Sequence, residues 1–133
     1  MKNSVIKLKR AYDAVASADG TRFLVERLWP RGVRKTDLHV TAWLKDVAPS
    51  TALRRWFGHD PKKWAEFRRR YFRELAANAD ALEPIIKAGH HGSVTLVYSS
   101  QDTEHNNAVA LKEYVESRIR NDKHRSGAAS QKI

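Results

Sequence analysis

Cysteine is absent from the 133 residues, which excludes disulfides, cysteine-held zinc, iron–sulfur clusters and a thiol nucleophile. Long apolar runs are absent too. At the N-terminus, Lys7, Lys9 and Arg10 alternate with Ile6 and Leu8, so neither a signal peptide nor a spanning helix fits. A soluble, cytoplasmic protein without a membrane partner is expected. The chain also lacks a glycine-rich P-loop, a G-x-G-x-x-G and a G-x-S-x-G, which counts against the common nucleoside triphosphate, dinucleotide and serine hydrolase classes. With 41% hydrophobic residues, wholesale disorder is excluded and one ordinary domain is the natural size.

Positive charge is in excess. Twenty-five Lys and Arg against 15 Asp and Glu give a net charge of +10, a balance that favours anionic small molecules or nucleic acid as partners. The excess is spread along the chain, so charge alone names neither.

Residues 5–10 alternate apolar and basic side chains, and Phe23, Val25 and Leu28 mark one side of a second run that ends at Trp29-Pro30. Both predict strands. Asp19-Gly20 between them is a turn signal, and this connection is too short for the usual crossover helix. Residues 93–98 are more continuously apolar, as in a central strand. Pro49-Ser50 opens a short helix that Gly58 closes, and Asp60-Pro61 starts a longer one on which Trp64, Phe67, Tyr71 and Leu75 recur at helical spacing. Residues 81–88 predict a helix stopped by Gly89, with Pro84 in its first turn. A last helix is expected from about Glu104 to Arg120. The reading is α/β, with one domain over residues 1–120 and a flexible basic tail over 121–133.

The candidate site follows from the strand ends. If the second and third strands are parallel, Arg27-Leu28-Trp29-Pro30-Arg31-Gly32 and Tyr98-Ser99-Ser100-Gln101-Asp102 leave the sheet at one edge, where open α/β sheets bind ligands. Arg27 and Arg31 offer bidentate donors to phosphate or carboxylate. Trp29 offers a wall, Gly32 a close backbone approach, and Ser99 a polar group. Asp102 and His105, three apart at a helix start, are the candidate acid/base pair. Asn106 and Asn107 are poor helix-interior residues, which implies a polar task for at least one of them. His59, between two helices, is a further candidate for the same cleft. A plainer reading competes throughout: Trp29 as core, Pro30-Arg31-Gly32 as a turn, and Asp102 as a helix cap. The spacing of the histidines suggests no metal site, and no cofactor is indicated.

An anionic, phosphorylated or nucleotide-like ligand would suit this edge. The alternative is nucleic acid, bound along the arginine-rich helix near residues 61–77 through Arg69, Arg70 and Arg73. That helix also reads as a solvated face, because Glu66 and Arg70 are i, i+4 neighbours.

Several segments together resemble the bacterial YeaO-like proteins, a domain-of-unknown-function family. They are residues 6–13, Arg27-Leu28-Trp29-Pro30-Arg31-Gly32, residues 43–50, Trp56-Phe57-Gly58-His59-Asp60-Pro61 and Asp102-Thr103-Glu104-His105-Asn106. The likeness spans about residues 4–120 and implies a compact, Rossmann-like, three-layer α/β domain. Longer relatives carry a Cys-His-Arg run where this chain has Glu104-His105-Asn106, so only the histidine is kept.

Overall fold

The computed structural model describes residues 5–131, with side chains through residue 122. Four strands, β1 (Ile6–Arg10), β2 (Thr21–Leu24), β3 (Ala42–Trp43) and β4 (Val94–Tyr98), form one sheet in the order β1-β4-β2-β3. Every pairing is parallel, with Leu8 and Phe23 on either side of Leu96. The helices are α1 (Lys35–Leu38), α2 (Thr51–Phe57), α3 (Trp64–Ala77), α4 (Glu83–His91) and α5 (Asn107–Gln131). All five residues of β4 are buried, as expected of a central strand.

Strand alternation sorts the core into two layers. Ile6, Phe23, Val25, Val94, Leu96 and Tyr98 face the apolar stripes of α2 to α5, including Leu53, Phe67, Tyr71, Ile85 and Leu111. On the other face Leu24 and Val97 pack with Ala11 and Leu38, and Trp29, Val33, Val40 and Trp43 close over them. The expected small, parallel, Rossmann-like sheet flanked by helices is therefore present. Among the described residues no helix is long and apolar enough to cross a membrane.

The short connection from β1 to β2 steps past β4 without a long helix, using only a 3₁₀ turn at Ser17–Asp19. Strand side chains fasten it: Lys7 Nζ donates to Ala18 O (2.6 Å), Lys9 Nζ to Ala14 O (2.8 Å), and Thr95 Oγ1 to Asp19 O (2.7 Å). Buried Asp19 accepts from Lys9 (2.8 Å) and from Arg22 (2.7 Å), so the ion network takes the place of a crossover helix. Lys9 above all holds the Asp19 carboxyl down at about 2.

Local signals explain most helix ends. Ser50 Oγ accepts from Leu53 N, and Gly58 closes α2 in the left-handed region. Asp60 caps the 3₁₀ turn Pro61–Lys63, which leads into α3. Four boundaries differ from the sequence reading. β2 ends at Leu24 rather than near Trp29, although Val25 N still donates to Val97 O (3.1 Å). Gly89 does not stop α4; it is buried within it, where a Cβ would lie 2.8 Å from Ile119 Cδ1, and the helix ends against Gly92. α5 begins at Asn107, after the turn at Asp102, rather than at Glu104. Its backbone stays helical to Gln131, past the expected end near Arg120, and residues 132–133 of the expected tail lie outside the described residues.

Candidate functional site

Because β2 and β4 run parallel, their exits emerge side by side at one sheet edge. Glu26 and Arg27 leave one strand, and Ser99 and Ser100 the other. Between them and the facing helices lies a cleft of about 480 Å³, whose far side carries Arg54, Arg55 and Phe57 of α2, then His59, and the start of α5 with His105, Asn106 and Asn107. Parallel α/β sheets bind ligands at such an edge, and the volume is in the range of small-molecule sites.

Glu26 forms the floor. Its Oε2 accepts the backbone N–H of Ser99 at 3.0 Å. Burial pushes its carboxyl above the usual glutamate range, against the opposing pull of the Ser99 hydrogen bonds and of Arg54 and His59. Arg27 beside it spends its donors on the protein: its guanidinium donates to Ala48 O (3.0 Å) and Pro49 O (3.3 Å), bracing the loop that leads into α2.

Asp102 organises the opposite wall. One carboxylate oxygen accepts the N–H groups of Glu104 and His105, each at 2.9 Å, and the other lies 3.1 Å from His105 Nδ1. Those two backbone bonds chiefly, with His105 helping, hold the Asp102 carboxyl below the ordinary aspartate range. The imidazole is fixed on its other flank by Trp64, edge to face at 5.4 Å. Asp102 does not cap α5. Asn106 does, accepting Val109 N (3.0 Å) while its amide donates to Asp102 O (2.8 Å). Asn107 ties the same helix end to β2 by donating to Val25 O (2.9 Å). Both asparagines therefore carry the polar work that their helix propensity implied.

Of the residues singled out in the sequence, Arg27, His59, Ser99, His105 and Asn106 line the cleft, and Asp102 stands behind His105. His59 reaches it from a left-handed backbone position (φ 57°) and is exposed. Trp29, Arg31 and Gly32 are not part of the lining. Trp29 belongs to the second core layer, its ring 5.4 Å from Trp43 and its indole N–H donated to Val33 O at 2.6 Å. Gly32 sits at φ 80° in a turn closed by Val33 N to Pro30 O, and the exposed Arg31 gives its carbonyl to the Tyr12 hydroxyl (3.0 Å). These three therefore stand apart from the cleft, Trp29 in the core and residues 30–32 in a turn.

Glu26, Arg54 and Arg55 were missed as site residues. Glu26 directly precedes the Arg27 motif at a strand end, which is the available signal; the two arginines lie on α2 outside any motif that points to the strand edge. On that helix, Arg69 and Arg70 both bind Glu66, Arg68 binds Glu113, and Arg70 also lies 4.2 Å over the ring of Trp56. Arg69 and Arg70 together hold the Glu66 carboxyl down at about 2. Arg73 is exposed. Among the described residues no group of three metal-ligating side chains comes together.

Comparison with known proteins agrees with the sequence motifs. The family described as the inactive DUF488-N3 subclade matches residues 5–133. The chain is 39% identical over 112 residues to the uncharacterized protein YeaO of Escherichia coli, covering 84% of this chain and 97% of that one. It is 36% identical over 118 residues to the uncharacterized protein Rv3073c of Mycobacterium tuberculosis, covering 89% and 99%. No solved structure matches. A family match over nearly the whole chain, with relatives covered almost end to end, places this protein in the inactive DUF488-N3 subclade, alongside the YeaO-like proteins.

Proposed function

We propose that the protein binds an anionic small molecule, phosphorylated or nucleotide-like, in the cleft at the carboxyl ends of β2 and β4. The observation that carries this reading is the convergence of Arg54, Arg55, His59 and His105 on one cavity of about 480 Å³. The guanidinium groups of Arg54 and Arg55 make no hydrogen bond or ion pair among the described residues, so their donors are open to a ligand. They replace Arg27 and Arg31 as the anion clamp, because Arg27 spends its donors on carbonyls and Arg31 is outside the lining.

Asp102 and His105 have the geometry of an oriented acid/base pair. The description of the family as inactive favours binding without turnover, with His105 a ligand contact that Asp102 positions. The arginine-rich helix is the weaker candidate for a partner site, since three of its cations are already engaged by Glu66 and Glu113.

A thermal-shift series against phosphate, pyrophosphate, mononucleotides, sugar phosphates and a short oligonucleotide, at low and high salt, tests the proposal. A small anion should stabilise the wild type and Arg31→Ala, persist in salt, and fail with Arg54→Ala. Stabilisation by the oligonucleotide alone, lost in salt and indifferent to Arg54→Ala, would overturn it and move the partner site to Arg69, Arg70 and Arg73.

A further inference from the structure

The cleft is chemically two-sided. Cations stand on the α2 wall, and a single carboxyl, Glu26, stands on the floor. A glutamate half-buried without an ion-pair partner among the described residues is a costly choice, and its bonds with Ser99 do not demand a charge, since the glutamine amide oxygen would accept the same backbone N–H. The other side-chain amides of the floor and wall are spent: Asn107 on Val25 O, Asn106 on Asp102 O and Val109 N. Glu26 is thus the strong acceptor left facing the cavity.

A phosphate dianion has no proton to give this acceptor. Whatever binds the arginine wall must also carry a donor that reaches the floor. An ammonium donor would meet the positive field of Arg54 and His59, the same charges that act on Glu26; a hydroxyl donor would not.

We infer that the cleft selects a phosphorylated polyol, a sugar phosphate or the ribose phosphate portion of a nucleotide, with Glu26 as the specificity-determining acceptor for a ligand hydroxyl. This rests on the anion-binding reading above and narrows it. The phosphate sits toward Arg54 and Arg55, and the hydroxyl-bearing carbons toward Glu26 and Ser99.

Calorimetric titration of the full chain with ribose 5-phosphate, ethyl phosphate and inorganic phosphate tests it, first on the wild type, where folding is not in question. Ribose 5-phosphate should bind about tenfold or more tighter than ethyl phosphate, as expected for a hydrogen bond to a charged acceptor. In Glu26→Leu, confirmed folded by its thermal transition, the two should converge while the dependence on Arg54 persists. Equal binding of the two phosphates by the wild type, or a hydroxyl preference that survives Glu26→Leu, overturns this inference and leaves the anion site standing. No binding of any of the three overturns both.

Discussion

Glu26 and Ser99 join the ends of two parallel strands across the sheet edge, the Oε2 of one accepting the backbone N–H of the other at 3.0 Å. The bond closes the floor of the cleft, and it does so with a carboxyl that burial drives toward its neutral form.

Glu26 therefore weakens the fold as it ionises. Its carboxyl is raised in the native state, so the unfolded chain loses that proton first, and stability falls as pH rises from the ordinary glutamate range to the raised native value. Glu26→Gln keeps an acceptor for Ser99 and removes the charge. We expect the variant to be more stable than wild type at neutral pH, with the difference vanishing near pH 4. Thermal melts from pH 4 to 8 read this directly; a variant less stable at neutral pH contradicts it.

The acid side belongs to Asp19. With its carboxyl held at about 2 by Lys9 first, and by Arg22, its contribution is present above the ordinary aspartate range and is lost as pH falls toward 2. Asp19→Ala also strands Arg22, which is 3% exposed and whose guanidinium is otherwise bonded, among the described residues, only to the carbonyls of Leu38 and His39. The expected cost is about 3–5 kcal/mol at neutral pH, the usual range for orphaning one partner of a buried pair. Urea titrations at pH 7 and pH 3 should show the loss shrinking in acid; Glu66→Gln, which removes two solvent-facing ion pairs, should cost far less at pH 7.

Two glycines separate conformation from space. Gly20 and Gly32 both have positive φ, 68° and 80°, yet a Cβ on Gly20 would lie 2.3 Å from the Ser93 carbonyl oxygen, whereas nothing lies within 4 Å of one on Gly32. Gly32→Ala should cost about 1 kcal/mol from backbone strain alone. Gly20→Ala must displace the strand backbone as well, and should cost several times more or prevent folding. Comparable denaturation midpoints for the two would refute the distinction.

How much of this was legible in the sequence depended on the range of the signal. Ser50, Gly58 and Asp60-Pro61 act on their own neighbours: the first two mark the ends of α2, and Asp60-Pro61 opens the 3₁₀ turn from which α3 continues at Trp64. The strand-end cleft followed from two apolar runs and the assumption that they were parallel. That Trp29 packs away from the cleft was not legible, because its partner, Trp43, lies on a two-residue strand too short to leave any periodicity. Glu26 and Arg54 stayed hidden for a related reason: which side of a strand exit faces a cavity is fixed by the helix that lands beside it. Asp102 and Asn106 are both good cap residues four apart, and only the backbone shows which one the helix uses.

Asn106 is the sharpest test of that last distinction. It is 3% exposed, it accepts the Val109 N–H that α5 would otherwise leave unpaired, and its amide holds the Asp102 carbonyl. Removing it takes the acceptor from the half-buried Val109 N–H and leaves the Asp102 carbonyl with only the Ser100 hydroxyl at 3.3 Å, so Asn106→Ala should cost about 1–2 kcal/mol, the usual range for a lost cap. Asn106→Asp keeps the cap acceptor but loses the amide donor and brings a second carboxylate beside Asp102; it should retain part of the stability at neutral pH and recover more as pH falls. Because the turn that Asp102 makes carries His105, both variants should also weaken any ligand that needs Arg54. Equilibrium unfolding of the three proteins, paired with the phosphate titration, checks both halves: a stable Asn106→Ala with unchanged binding would mean that Asp102, and not Asn106, sets the start of α5.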